Sequence, residues 1–311
     1  MKILFISLGC DKNLVDSEVM IGLLSKKGYS FTDDEQEAEA VVVNTCCFIG
    51  DAKEESINTI LEMAELKKAG QVRALLVTGC LAQRYFEEIQ TEIPEVDAVI
   101  GTTAIDAIVD ALEDVLSGKA SNHVESIHRP VFGKGERVVT TGGHYAYLKI
   151  AEGCSKHCTY CIIPKVRGNY RSVPMEELCR EAGELAEGGV KELILVAQET
   201  TLYGVDLYGE KKLPELLTKL CRIEGLCWIR ILYCYPEEIT DELIEVMKRE
   251  RKICHYLDIP IQSGSDRILK LMGRKTSRQQ ICERIQKIRE QMPDICIRTT
   301  LISGFPGETQ E

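Results

Sequence analysis

The sequence predicts an α/β protein in two parts: a doubly wound parallel sheet, then a series of βα units of the barrel kind. Three observations lead there. Short runs rich in Val, Ile and Leu alternate along the chain with longer segments of helical period, the pattern of parallel strands covered by helices. The 311 residues, 44% of them hydrophobic, are enough for two cores. Residues 117–143 scatter Gly, Pro, Ser and His, with Arg129-Pro130 and Gly142-Gly143 as punctuation, and read as a linker. Domains are therefore expected over 1–130 and 140–311.

In the first part, strands are expected at 2–8, 40–44, 74–78 and 97–100, and helices at 15–27, 52–68, 82–90 and 104–116. What ends the strands matters most. Cys10 follows the first, Cys46 and Cys47 the second, and Cys80 the third. A parallel sheet gathers its carboxyl ends on one edge, where open α/β folds bind ligands. Three cysteines far apart in sequence are thereby brought to one place, as a shared metal site requires. Cys46 and Cys47 are neighbours whose side chains diverge, so only one of them joins the trio, and geometry alone leaves both open.

In the second part, strands are expected at 145–150, 192–197, 228–233, 256–261 and 296–302, with helices at 175–187, 213–223, 238–249 and 278–291. Barrels of such units place their chemistry at the carboxyl ends of the strands. Those ends hold a cysteine loop, then Gln198 and Glu199, then residues 233–235, then Gln262, then Gly304-Phe305-Pro306-Gly307-Glu308. Polar groups converge on one mouth.

The cysteine loop reads Glu152-Gly153-Cys154-Ser155-Lys156-His157-Cys158-Thr159-Tyr160-Cys161. Three closely spaced thiolates can hold one face of an iron–sulfur cluster and leave an iron open to something other than protein. Zinc held by Cys154, His157, Cys158 and Cys161 is the competing reading, and spacing alone leaves both standing. The other seven cysteines, at 179, 221, 227, 234, 254, 282 and 296, share no spacing and are expected to pack as small hydrophobes.

No run of about 18 apolar residues exists, so no membrane partner is expected. The amino terminus lacks a signal-peptide pattern, which suggests a cytoplasmic protein whose 14 cysteines are reduced thiols and metal ligands. The net charge of -11 is uneven: residues 1–140 hold 13 Lys and Arg against 24 Asp and Glu, while residues 141–311 hold 25 of each. An acidic first part suits a basic partner better than a polyanion.

The CxxxCxxC run with Tyr160 before its last cysteine resembles the signature of the radical S-adenosylmethionine (SAM) enzymes. That resemblance implies a partial barrel, typically of six βα units. It also implies a four-iron cluster on Cys154, Cys158 and Cys161 whose fourth iron binds SAM, and SAM cleavage to a 5'-deoxyadenosyl radical on reduction. It further implies cofactor contacts at Tyr160 (adenine), Glu199 (the SAM amino group) and the segment of Gly304, with Gln198 and Gln262 as further strand-end candidates. No side chain is assigned a catalytic role. Residues 7–18, Asn44-Thr45-Cys46-Cys47-Phe48-Ile49 and Thr78-Gly79-Cys80 resemble the amino-terminal domain of the methylthiotransferases, in which the cysteines matching Cys10, Cys46 and Cys80 hold a second four-iron cluster. The chain stops at Glu311 where a sixth unit would begin, and nothing matches the small carboxyl-terminal β-barrel of that family, so a truncated member is expected.

Two branches of that family differ in target. Residues 10–18, 52–57 and 230–236 resemble the branch that modifies an aspartate β-carbon in a small-subunit ribosomal protein of the decoding centre. Gln262-Ser263-Gly264-Ser265-Asp266 resembles more the branch acting on adenosine in transfer RNA. The first branch, with an external electron donor as second partner, is the expectation. A non-catalytic iron–sulfur or zinc carrier is the alternative of another class.

Overall fold

A computed structural model describes residues 1–129 and 137–309, which fall into two compact units: Met1–Thr140 with Lys165–Gly168, and Thr141–Pro164 with Asn169–Glu311. The return of Lys165–Gly168 to the first unit has no counterpart in a linear division of the sequence.

The first unit runs β1 (Lys2–Ser7), α1 (Asp11–Lys26), β2 (Ser30–Thr32), β3 (Ala40–Thr45), α2 (Gly50–Lys68), β4 (Ala74–Gly79), α3 (Cys80–Arg84), α4 (Phe86–Glu92), β5 (Ala98–Ile100) and α5 (Ile108–Leu116). Its sheet is wholly parallel, in the order β2-β1-β3-β4-β5. Every residue of β3 and β4 is buried, the consequence of apolar runs covered on both faces. On one face Ile3, Val42, Leu76 and Ile100 pack against Met20 and Leu24 of α1 and Ile108 and Leu112 of α5; α2 lies along β3 and β4. α2 places Asp51 in its first turn and Lys67 and Lys68 in its last, matching the helix dipole, and ends before Gly70 at φ 75°.

Four features depart from expectation, one being that α5 starts at Ile108 rather than residue 104, after a 3-10 turn at Ile105–Ala107. The edge strand β2 is too short to show a period. α1 starts at Asp11 rather than residue 15, directly after Cys10. The helix expected at 82–90 is two helices broken at Tyr85 (φ −120°, ψ 36°), whose ring is flanked by Lys53 and Arg84. Of the expected linker, residues 130–136, including Pro130, lie outside the described residues. Residues beyond them are pinned to α1: buried Glu18 accepts hydrogen bonds from Arg137 Nε (2.8 Å) and Thr140 N (2.6 Å).

The second unit runs β6 (Tyr145–Lys149), β7 (Ala151–Glu152), α6 (Ile163–Val166, crossing into the returning segment), β8 (Arg171–Ser172), α7 (Met175–Glu187), β9 (Glu192–Val196), α8 (Val205–Tyr208), α9 (Leu213–Leu220), β10 (Trp228–Ile231), α10 (Asp241–Arg249), β11 (Ile253–Asp258), α11 (Asp266–Leu271), α12 (Arg278–Gln291) and β12 (Cys296–Arg298). Five parallel strands in the order β12-β11-β10-β9-β6 form an open sheet, a partial barrel with no closure among the described residues. Thr240 caps α10, and Ser277 with Gln280 forms a capping box on α12.

The helices at 175–187 and 278–291 have the expected limits. β11 lies three residues earlier than expected, because Pro260 offers no N–H and Gln262 turns the chain at φ 70°. β12 is shorter than expected, its further reach being one bridge between Gln262 and Leu301. β10 stops at Ile231, two residues before Tyr233 at φ 59°. No helix among the described residues is long and apolar enough to cross a membrane.

Candidate functional site

In the first unit, the strand order reverses direction between β1 and β3, the position at which open parallel sheets bind ligands. Cys10 follows β1, Cys46 follows β3 and Cys80 opens α3 directly from β4. Cys46 and Cys80 are buried and Cys10 is exposed. Cys46 and Cys80 each feel the charge of Cys10, and Cys80 also feels that of Cys47. Burial raises the Cys46 thiol, with the Cys10 charge adding to it. Burial pushes the Cys80 thiol up to about 12, against the lowering pull of Arg167 and with Cys10 again adding.

The approach is close enough to demand glycine. A Cβ on Gly9 (φ 94°) would stand 2.7 Å from the Cys46 Cβ and 3.1 Å from its sulfur. Gly79 (φ 95°) would meet Asn44 Oδ1 and Thr45 O at 2.4 Å each. Cys46 lies against Gly9, while burial raises the Cys47 thiol against the lowering pull of Arg84.

Polar side chains hold the loops in register. Asn13 Nδ2 donates to Leu8 O (3.0 Å) and Thr45 O (2.9 Å), tying the Cys10 loop to the end of β3. The Ser56 hydroxyl accepts from Cys46 N and donates to Cys46 O, both at 2.9 Å. Buried Arg167 donates from Nε to the Cys80 sulfur (3.3 Å), from Nη1 to Asp16 (2.7 Å) and from Nη2 to Asn13 (2.5 Å). Asn13 and Ser56 lie inside the runs 7–18 and 52–57 that carry the family resemblance, although no role was assigned to either; Arg167 was not singled out from sequence.

In the second unit, Cys154 and Cys158 are buried and Cys161 half-buried. Burial pushes the Cys154 thiol up to about 11, with Glu199, Cys161 and Cys158 adding to it against a backbone N–H from Lys156. The loop takes its shape from His157, at φ 52°, and from Thr159, whose N donates to Met272 O at 3.0 Å. The non-glycine residues with positive φ among those described are His157, Tyr233 and Gln262, and each follows a strand of this unit. Backbone strain is thus kept where the chemistry is expected.

The predicted cofactor residues gather unevenly. Glu199 is fully buried; Oε1 accepts from Thr201 N (3.1 Å) and from its hydroxyl, while Oε2 has no hydrogen-bond partner. Burial pushes its carboxyl up to about 8. Gln198 donates to Glu152 at 3.0 Å and leaves its buried Oε1 unpartnered. The Tyr160 ring meets Phe305 edge-on at 6.3 Å, bringing it to the segment of Gly304 (φ 74°). Gln262 contributes backbone, pairing with Thr300 and Ile302.

One residue was missed from sequence: Arg274, buried with Nε and Nη1 unpartnered, in a loop without a motif. It lies at 3.9 Å over the ring of Tyr235, which belongs to the strand-end group 233–235 and the run 230–236. The remaining cysteines correct the packing expectation in part: Cys234 is fully buried, Cys179, Cys221 and Cys254 are half-buried, and Cys227, Cys282 and Cys296 are exposed.

Among the described residues no three His, Cys, Asp or Glu side chains close on the position of a single metal ion. A four-iron cluster makes a different demand, because each thiolate binds its own iron. Three cysteines at neighbouring strand ends in the first unit and three mutually sensed thiols in the second, together with orphaned buried donors and acceptors beside the second set, fit that demand and a zwitterionic ligand.

The model of an uncharacterized protein family, UPF0004, matches residues 2–101, and that of the Radical SAM superfamily matches residues 148–311. A protein of Lachnoclostridium phytofermentans named ribosomal protein uS12 methylthiotransferase RimO is 66% identical over 311 residues, covering all of this chain and 71% of its own length. One of the same name from Clostridioides difficile is 52% identical over 314 residues, again covering the whole chain and 70% of the relative. Among solved structures, the radical S-adenosylmethionine methyltransferase TsrM of Kitasatospora setae aligns over 99% of this chain and 68% of its own, at TM-score 0.67 and 14% identity. The cobalamin-dependent S-adenosylmethionine radical enzyme OxsB aligns over 97% and 49%, at TM-score 0.65 and 14% identity. These two share the fold.

Proposed function

The chain belongs to the family of ribosomal protein uS12 methylthiotransferases, and from that membership we infer that it attaches a methylthio group to the β-carbon of an aspartate in that ribosomal protein. The observation that carries this reading is the pair of cysteine sets, Cys10/Cys46/Cys80 at the strand edge of the first unit and Cys154/Cys158/Cys161 after β6 in the second. Each would hold a four-iron cluster, and SAM would bind at the second. When bound, these groups supply hydrogen-atom abstraction from an unactivated carbon and the sulfur and methyl to replace it, chemistry no side chain offers.

The chain's own residues bind and orient. Glu199 Oε2, desolvated and unpartnered, suits an ammonium. The free Nε and Nη1 of Arg274 suit a carboxylate. Tyr160 and Phe305 offer aromatic surface to an adenine. The acidic balance of residues 1–140 suits a basic ribosomal protein, and an external one-electron donor must reach the clusters.

The test is anaerobic reconstitution of the chain with iron and sulfide, then reaction with SAM, a reductant and uS12, followed by peptide mass spectrometry. A methylthio group on one aspartate is expected. Modification of transfer RNA with uS12 untouched would overturn the substrate, and absence of SAM cleavage with both clusters loaded would overturn the enzyme.

A further inference from the structure

We propose that Arg167 is a positioning residue for the cluster of the first unit, its Nε–H holding the Cys80 thiolate while its charge, balanced against Asp16, sets that cluster's reduction potential. The proposal rests on the reading that Cys10, Cys46 and Cys80 hold a cluster.

Burial of a guanidinium is costly unless each face of the fork is satisfied. Here Asp16, itself buried, takes Nη1 at 2.7 Å and Asn13 takes Nη2 at 2.5 Å, leaving Nε for sulfur at 3.3 Å. A neutral core thiol needs no cationic donor; a thiolate does. Asn13 also donates to Leu8 O and Thr45 O, so the guanidinium is anchored to the loops that present Cys10 and Cys46. One side chain therefore touches a candidate ligand directly and braces the segments of the other two.

Charge and hydrogen bonds to cluster sulfurs are levers on potential. Reduction adds one electron and breaks no bond, so a nearby cation favours the reduced cluster and a nearby carboxylate disfavours it. Arg167 and Asp16 therefore act in opposite directions, which a purely structural role would not produce.

The experiment uses the full chain carrying Cys154→Ala, Cys158→Ala and Cys161→Ala, so that only the first cluster is read, with iron and sulfide analysis and an electron paramagnetic resonance titration against dithionite. Relative to this parent, Arg167→Met is expected to lower the midpoint potential, Arg167→Lys to lower it by less, and Asp16→Asn to raise it. Unchanged potentials at full iron content, or shifts of Arg167→Met and Asp16→Asn in the same direction, would overturn the proposal. If Arg167→Met loses its iron, the signs of Arg167→Lys and Asp16→Asn decide. A parent that binds no cluster would instead overturn the reading of the trio, and the role of Arg167 with it.

Discussion

The hydroxyl of Tyr235 lies 3.5 Å from the sulfur of Cys158, within hydrogen-bonding reach. A bound thiolate gains from that donor, and Arg274 stacked on the same ring holds it in place. Tyr235→Phe keeps the stack and removes the O–H. At about 1 kcal/mol for the bond, the loaded chain is expected to keep its iron and form 5'-deoxyadenosine roughly 5-fold more slowly, measured by chromatography under fixed reductant.

Glu199 makes stability depend on pH in the less usual direction. Its carboxyl titrates near 4.5 when solvated and near 8 when buried in the ligand-free fold. Between those values the folded chain holds a proton that the unfolded chain has lost, so stability falls as pH rises from 4.5 to 8. Glu199→Gln is expected to remove that slope and stabilise the ligand-free chain at pH 8 by roughly 2–4 kcal/mol, with little change at pH 5. Urea unfolding at the two pH values reads it.

For the loaded chain, the same substitution works against binding. An ammonium facing Glu199 Oε2 would lose a charged partner worth roughly 1.5–3 kcal/mol. Equilibrium dialysis of SAM against the reconstituted Glu199→Gln chain is expected to show affinity about 10–100-fold weaker, and unaltered affinity would remove Glu199 from the cofactor site.

Gly79→Ala is expected to destabilise the first unit by roughly 3 kcal/mol or more. The added Cβ would fall on Asn44 Oδ1 and Thr45 O, in a backbone conformation that L side chains avoid. A urea midpoint within error of the parent would show that β4 can shift to admit the methyl.

Ser56→Ala leaves the buried N–H and C=O of Cys46 without the partner they now share. A loss of about 1–3 kcal/mol is expected, together with iron lost faster to a chelator, since Cys46 is then less firmly held.

The strand edges of both units could be read from apolar runs and from the cysteines that end them, because a hydrophobic strand and a thiol just beyond it are local facts. Cys154, Cys158 and Cys161 were plain for the same reason, and Glu199 stood out as a charge at a strand end. Arg167 could not be found this way: it sits in an unremarkable loop, and its partners Asp16 and Asn13 are about 150 residues earlier in the chain. β2 was missed because three residues carry no period. The break at Tyr85 was missed because backbone hydrogen bonds continue on either side of it, Tyr85 N to Leu81 O and Ile89 N to Tyr85 O, so nothing in the helical pattern marks the bend.

Since Lys165–Gly168 groups with Met1–Thr140, the gene encodes the first unit as two pieces with 24 codons of another unit between them. A fragment ended at Thr140 for expression or for swapping between relatives would omit Arg167 and deprive Asp16 of the cation at 2.7 Å. Such fragments should be designed as insertions or fusions that restore the short second piece, and a chimera cut at that boundary inherits its guanidinium from whichever parent supplies the later half.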